Sequence, residues 1–533
     1  MFSLKQKKTK VSLWSFFSYF FISVLIAPPL FFLVNSLSKT SPSTKKIVTM
    51  FLGTYTKNTA IILVFTLCFC LLIGFISACI MSFYNFKGKK IFEFLLILPF
   101  AIPSYILAYI YTDFFSYGGI IYKIMQRFGI FFNLDIMNIK GLIFILICAF
   151  YPYSYIIFRS YLKRLDQNIL DSAVSLGAGK CKLIFKILIP VSYPAILSAS
   201  LLIIMEVLNA FGVPYYFGVQ VFSTGIFHAW VSFQDIEAAT KLSFILILFI
   251  GVVSGLIYMM KNAKKYQYSS GAVRFIQPKN ISGVKAFAAY FYLILLISIS
   301  FIIPCIHLIL WLYHSIGNVS FVASSFFFTL FVGIFSASLI VIVSIILANH
   351  SRYHHDKFNK LLFRVATIGY GIPGIIIAIA TLSLFIKLDR FIFGRLIFTL
   401  SIIPLFIAYT IRFIMVSFNS IDAGFNKCGL KFSKASKSLG AGEIKTFLKV
   451  DLPLIKANII GAFLLSFIEI IKDLPITSLL IPFNRETLAI TISNYAAQER
   501  ITDIAFPAIL IIVISTALLY LFTRNEKNEI HKN

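Results

Sequence analysis

Charge is what this sequence has least of. Only 13% of its 533 residues are Asp, Glu, Lys or Arg, and the acids are the scarcer kind, 20 against 48 bases. Soluble domains carry about 25%, so a water-solvated shell around this much apolar chain is excluded. Paired cysteines are also missing. The seven cysteines (Cys68, Cys70, Cys79, Cys148, Cys181, Cys305 and Cys428) are scattered without a CxxC spacing. That argues against a disulfide framework and against a zinc site. No stretch satisfies the phosphate-cradling pattern G-x-x-x-x-G-K-[ST]. Gly177-Ala178-Gly179-Lys180 lacks the earlier glycine and the hydroxyl residue, and Gly424 to Gly429 is followed by Leu430 where the lysine belongs. Any ATP hydrolysis has to come from another polypeptide. The one histidine group, His350, His354 and His355, has an i, i+4 spacing, but Arg352 and Lys357 stand beside it. It reads as a solvated basic loop, and no resident metal or cofactor is expected.

What is present is apolar chain: 59% hydrophobic residues and a mean hydropathy of +0.91. Stretches of the roughly 20-residue length that crosses a bilayer fall near 11–34, 59–83, 91–112, 139–161, 191–211 and 240–260. A second set falls near 286–313, 324–349, 361–386, 396–418, 457–480 and 505–523. The first run is longer than the apolar core of a signal peptide and reads as an uncleaved anchor. The expected fold is an all-α membrane protein of twelve transmembrane helices. With the N-terminus in the cytoplasm, inner loops hold more than twice the Lys and Arg of outer loops, which favours that orientation for both termini. The net charge of +28 therefore suits an anionic lipid surface and does not call for nucleic acid.

The chain repeats itself. Ser175 to Gly179 and Ser438 to Gly442 both read Ser-Leu-Gly-Ala-Gly, and Pro190 and Pro453 follow at equal distances. Ile102-Pro103 matches Ile372-Pro373, and Glu206 matches Glu469. Arg159 and Arg412 look equivalent, with about ten extra residues, roughly Ser417 to Cys428, inserted after the second. Both arginines are expected to snorkel toward the inner surface. This pattern gives two parallel six-helix repeats, 1–260 and 286–533, joined by a basic linker, 261–285, rich in Ser, Gly and Pro. Each repeated motif falls between the fourth and fifth helix of its repeat. Residues 166–176 can form a short helix, and Gly177 and Gly179 permit a tight turn. Cys181, Ile184, Phe185 and Leu188 then share one helical face, and the proline opens the next span. One such segment could be an interfacial helix resting on lipid. Two at matched positions fit a docking partner with two-fold symmetry better.

The segment resembles the signature of permease subunits of type I ABC importers: Glu-Ala-Ala, three residues, Gly, then Ile-x-Leu-Pro about a dozen residues on. The first copy matches as Asp171-Ser172-Ala173, Gly177 and Leu188-Ile189-Pro190, and the second as Lys434-Ala435-Ser436, Gly440 and Asp451-Leu452-Pro453. The resemblance implies that 166–190 and 428–453 are coupling segments seated in grooves of an ATPase. Their contact residues would be Asp171, Ala173, Leu176, Gly177, Ala178 and Pro190, with Ala435, Leu439, Gly440, Ala441 and Pro453. Lys434 departs from the acidic first position, so an ion pair there is not carried over. Over nearly the whole chain, runs such as MEVLNAFGVPYYFGVQVFSTGIFHAW and IEIIKDLPITSLLIPFNRETLAITI are similar to bacterial ferric-iron permeases. Thiamine, polyamine and sulfate relatives share the architecture. The resemblance further implies two copies of an ABC ATPase that uses the ATP, a periplasmic iron-binding protein docking on loops including 212–239 and 481–503, and a place in the bacterial inner membrane.

Glu206 and Glu469 are the candidates for a pathway or gate, because a charge at mid-bilayer costs about 2.5–3.5 kcal/mol on insertion scales. A structural hydrogen bond between helices explains them equally well. Lys472 and Asp473 would pair with each other or with neighbours. A gradient-driven secondary transporter can also have twelve helices in two halves, and a membrane scaffold would need no moving parts.

Overall fold

The computed structural model describes residues 13–37, 42–130, 134–263, 274, 276–315, 319–353 and 357–531. Most of them are helical. Among the described residues, nine helices are long and apolar enough to cross a bilayer, and three bent helix pairs bring the number to twelve. The second of these helices runs from Pro42 to Phe83, starting well before the span that hydropathy suggests.

Two of the bends have one local cause. A proline's ring crowds the residue before it out of the α region. Ile102 (φ −96°, ψ 117°) and Ile372 (φ −97°, ψ 128°) are accordingly extended. Lys89–Ala101 meets Ser104–Arg127 at 91°, and Leu361–Gly371 meets Gly374–Phe393 at 114°. Pro103 and Pro373 then head the following helices, where a missing N–H removes no hydrogen bond.

The compact units interlace with the sequence repeats. One unit comprises residues 40–317 with 495–512; the other comprises 1–39, 318–494 and 513–533. Thus helix Leu13–Ser36, from the first repeat, packs in the unit built mainly from the second. Helices Gly283–Ile297 and Ile303–His314, from the second repeat, pack in the unit built mainly from the first. Repeat boundaries drawn at 260 and 286 follow the pattern of the sequence, whereas packing follows this exchange.

In the 40–317 unit, helix Pro42–Phe83 lies against Ile139–Leu162 and Tyr193–Asn209. It meets Ile139–Leu162 tightly at Gly74, where a Cβ would overlap the Ser154 side chain. Ser154 Oγ donates to the Cys70 carbonyl at 2.6 Å across the same contact. Overpacking of such a contact costs about 1–3 kcal/mol. Gly74→Leu should therefore lower the thermal midpoint in detergent clearly, while Gly53→Leu on the same helix, where a Cβ meets nothing within 4 Å, should not. Equal midpoints would contradict the packing.

The linker ends in the one strand pairing among the described residues, a parallel contact of Tyr84–Asn85 with Lys279–Asn280. In the other unit, helix Val319–Ser351 packs on Ile403–Cys428 and Lys456–Lys472. Ile340, Leu347, Leu405, Ile414 and Phe467 form a core that takes in Ile22 and Leu25 of the first helix.

Candidate functional site

Both repeated motifs are built alike. In the first copy, Asp166 caps helix Gln167–Ser175 by accepting from the Asn168 N–H at 3.1 Å. The helix ends when Gly177 takes φ 79°. The Gly177 N–H returns to Val174 O at 2.9 Å and the Ala178 N–H to Ala173 O at 3.0 Å. That crossed pair is the Schellman stop, which needs a left-handed residue and so favours glycine. In the second copy, helix Lys431–Ser438 ends at Gly440 with φ 83°. Its N–H returns to Lys437 O at 3.0 Å, and the Ala441 N–H to Ser436 O at 3.2 Å. Only the first glycine of each motif is left-handed. Gly442 is extended (φ −64°, ψ 165°) and starts the next turn, so the second glycine does not share the role expected of it.

The prolines do not open the next span directly. Each copy passes through a π turn, Ile184–Leu188 and Phe447–Asp451, in which the Ile189 N–H bonds Ile184 O and the Leu452 N–H bonds Phe447 O. A proline one residue later cannot donate to the carbonyl four before it, and the wide turn absorbs that gap. Helices Tyr193–Asn209 and Lys456–Lys472 follow, the latter bent by 72° from the segment before it.

The turns present apolar tips. Leu176 is 86% exposed and Leu439 88%. Val174 and Phe185 in the first copy and Phe432, Ile444 and Leu448 in the second are also exposed. Such residues are ordinary on a lipid face, but these lie among lysines in the most polar part of each repeat, and lysine-flanked exposed leucines at a fixed turn suit a protein partner. Asp171 is exposed and accepts only a 3.4 Å bond from Gln167. Ala173 is buried beneath the first turn, while Ala435 is exposed. Ala178 and Ala441 are half-buried, as is Pro190; Pro453 is exposed.

Four expectations are corrected by the helix register and the buried charges. Counting from the motif glycines, Arg412 aligns with Ala149 and not with Arg159. Ile139 precedes Gln167 by the same interval as Ile403 precedes Lys431, so there is no insertion. Arg412 does not snorkel. It is 1% exposed and donates to Tyr370 O at 2.9 Å and to Ile372 O, two carbonyls at the helix break before Pro373. Arg159, in the last turn of its helix, is held by Glu93 and by Ser82 Oγ at 3.0 Å. The histidine loop is not a solvated basic loop where it is described. His350 is 1% exposed and meets Ser15 Oγ at 3.3 Å, and Arg352 is buried among partners. His354 and His355 lie outside the described residues.

Glu206 is buried in helix Tyr193–Asn209. Its counterpart Glu469 pairs with Lys472 at 3.5 Å. Asp473 accepts from the Ile476 N–H at 2.9 Å and the Thr477 N–H at 3.3 Å at the start of the short helix Pro475–Leu480, within reach of the Arg412 charge. No group of three or more His, Cys, Asp or Glu suited to a metal occurs among the described residues. The 212–239 segment is less of a loop than its sequence implies. Phe222 to Ile226 are buried in helix Phe222–Val231, leaving Val231 to Gln234 as an exposed edge. Phe217 to Gln220, with Asn58, Asn138 and Lys140, line an open cavity of about 600 Å³.

The profile of the family described as "Binding-protein-dependent transport system inner membrane component" matches residues 70–263 and again 340–528. Each matched stretch contains one of the two motifs. An Fe(3+)-transport system permease protein of Haemophilus influenzae is 23% identical over 88% of this chain and 89% of its own. A spermidine/putrescine transport system permease protein of the same species is 30% identical over 27% of this chain and half of its own. A maltose/maltodextrin transport system permease protein of Yersinia pestis is 32% identical over 24% of this chain and a quarter of its own.

Proposed function

The chain belongs to the binding-protein-dependent transport system inner membrane components, and from that premise we propose that it carries ferric iron from a periplasmic binding protein into the cytoplasm, driven by two copies of a separate ABC ATPase. The observation that carries the reading is the pair of glycine-stopped, leucine-tipped segments in register, one in each matched stretch. One chain with two equivalent docking segments suits two identical motor subunits. ATP favours one of two states of the motor, and a driven switch needs such a difference in affinity. The segments pass that difference to helices Tyr193–Asn209 and Lys456–Lys472, which follow them directly. Glu206 and Glu469 stand on those two helices, which suits residues that gate the path.

Iron is supported by a similarity that covers 88% of the chain; the matches to polyamine and sulfate permeases cover about a quarter of it. Affinity for the ion then rests with the binding protein, since a tight site in a passage hinders release. Positive-inside charge supports placing both termini and both motifs in the cytoplasm.

Proteoliposomes holding the chain, its ATPase and a ferric-loaded binding protein should take up iron only with ATP, without competition from thiamine, spermidine or sulfate. Uptake driven by a proton or sodium gradient without the ATPase would replace this reading with a secondary transporter. An impermeant maleimide should label Leu176→Cys and Leu439→Cys from the cytoplasmic side only. Labelling from opposite sides would rule out a shared motor.

A further inference from the structure

We propose that Arg352 is the positioning residue that makes the second coupling segment move as one body with the helices on either side of it; the proposal rests on the transport reading above. Arg352 lies one residue beyond helix Val319–Ser351. Its guanidinium holds three points of the chain together. Nη1 donates to Asp451 Oδ1 at 2.9 Å, and Nη2 to Ser433 Oγ at 2.9 Å and to the Gly429 carbonyl. Ser433 Oγ closes the network by donating to the same Asp451 oxygen at 2.6 Å. The Arg352 and Asp451 side chains are 5% and 4% exposed, and the guanidinium lies over the Phe425 ring, 4.8 Å from its centroid.

Each anchor stands where one element hands over to the next. Gly429 ends helix Ile403–Cys428, Ser433 is in the first turns of the coupling helix Lys431–Ser438, and Asp451 ends the π turn before Lys456–Lys472. The two ends of the 429–451 excursion are thus tied to each other and to the end of a third helix. A push on the Leu439 tip therefore has no slack to take up before it reaches that helix and the two flanking ones. A planar fork with several fixed donors does this where a single ammonium cannot.

The first coupling segment is held differently. The positions in register with Ser433 and Asp451 are Leu170 and Leu188, both buried and apolar. The end of the inter-repeat linker takes the place of the charge: the Gln167 N–H donates to Arg274 O at 2.7 Å, and the Gln277 N–H to Gln167 Oε1 at 3.1 Å. Buried ion pairs are poor sources of net stability, so the lock in the second segment is better explained by rigidity.

The test compares hydrogen exchange with and without ATP in nanodisc complexes of the full chain with its ATPase, for wild type, Arg352→Ala and Arg352→Lys. Lysine keeps the buried charge neutralised, so it guards against a variant that does not fold. In the wild type, ATP should change exchange both in 431–451 and in 456–472. In Arg352→Ala the change in 456–472 should vanish while that in 431–451 remains, and in Arg352→Lys it should fall about twofold or more, because one ammonium cannot reach all three anchors. A purely structural role would speed exchange equally with and without ATP. That outcome, or transmission to 456–472 undiminished in both variants or absent in the wild type, would overturn the proposal. Failure of the wild-type chain to bind the ATPase would instead overturn the transport reading.

Discussion

Replacing both turn glycines by aspartate, Gly177→Asp with Gly440→Asp, should abolish co-purification of the ATPase and with it ATP-driven uptake, while leaving the chain folded. The two consequences separate because of where the glycines stand. A Cβ at either position meets nothing within 4 Å, so no neighbour is displaced. The strain is confined to φ values of 79° and 83°, which cost an ordinary residue about 1–2 kcal/mol and Asp less, since it visits the left-handed region routinely. A thermal midpoint close to that of wild type is therefore expected. The partner surface suffers more. Each carboxylate arrives beside a leucine that is almost fully exposed and available to dock. An unpaired charge buried in an interface costs about 2–5 kcal/mol, a loss on the order of 100-fold in affinity per site. Two sites on one chain act jointly, so each single variant should retain partial binding and the double variant none. Gly177→Ala with Gly440→Ala carries the backbone strain without the charge and should bind within about tenfold of wild type. Unchanged co-purification by the double aspartate variant would mean that these turns are not the docking surface.

Those turns were legible because their cause is local. A five-residue identity repeated in register, with glycine where a helix must stop, needs no knowledge of the rest of the chain. The helix breaks at Ile102-Pro103 and Ile372-Pro373 belong to the same class, since the proline acts on its own neighbour. The burial of Arg412 and Arg352 is illegible in the sequence for the opposite reason. An arginine near the end of an apolar run is ordinarily drawn to water. What holds Arg412 inside is a pair of carbonyls about 40 residues away in sequence, and what holds Arg352 is a carboxylate 99 residues away. Neither partner leaves a mark in the local pattern. The exchange of first helices was hidden in the same way: hydropathy says that Leu13–Ser36 can cross a bilayer but carries no information about which helices it crosses beside. Arg159 and Arg412 share residue type but not register, as the helix starts at Ile139 and Ile403 show.

Arg412→Leu should be the most destabilising single substitution in the second repeat. The side chain is among the largest fully buried ones in the protein. Its removal takes a charged donor away from Tyr370 O and from Ile372 O, and a buried hydrogen bond to a charged group contributes about 1.5–3 kcal/mol. It also strips a nearby positive charge from Asp473. That loss is a sizeable part of the roughly 5–15 kcal/mol that holds a typical domain folded. Leucine fits the apolar surroundings and recovers some packing, so survival of a minor folded fraction is compatible with the argument. Arg412→Lys keeps the charge with one donor group in place of a fork and should fall between. Arg159→Leu is the comparison that gives the result meaning. That arginine sits at a helix end, with its side chain 12% exposed and its partner Glu93 24% exposed. Glu93 keeps a second cation, Lys163, at 3.8 Å when Arg159 is removed, so the loss should be smaller than that of Arg412→Leu. The measurement is the thermal midpoint and the yield of monodisperse protein in one detergent for all three variants. If Arg412→Leu and Arg159→Leu melt together, the carbonyls at the Pro373 break do not depend on the guanidinium.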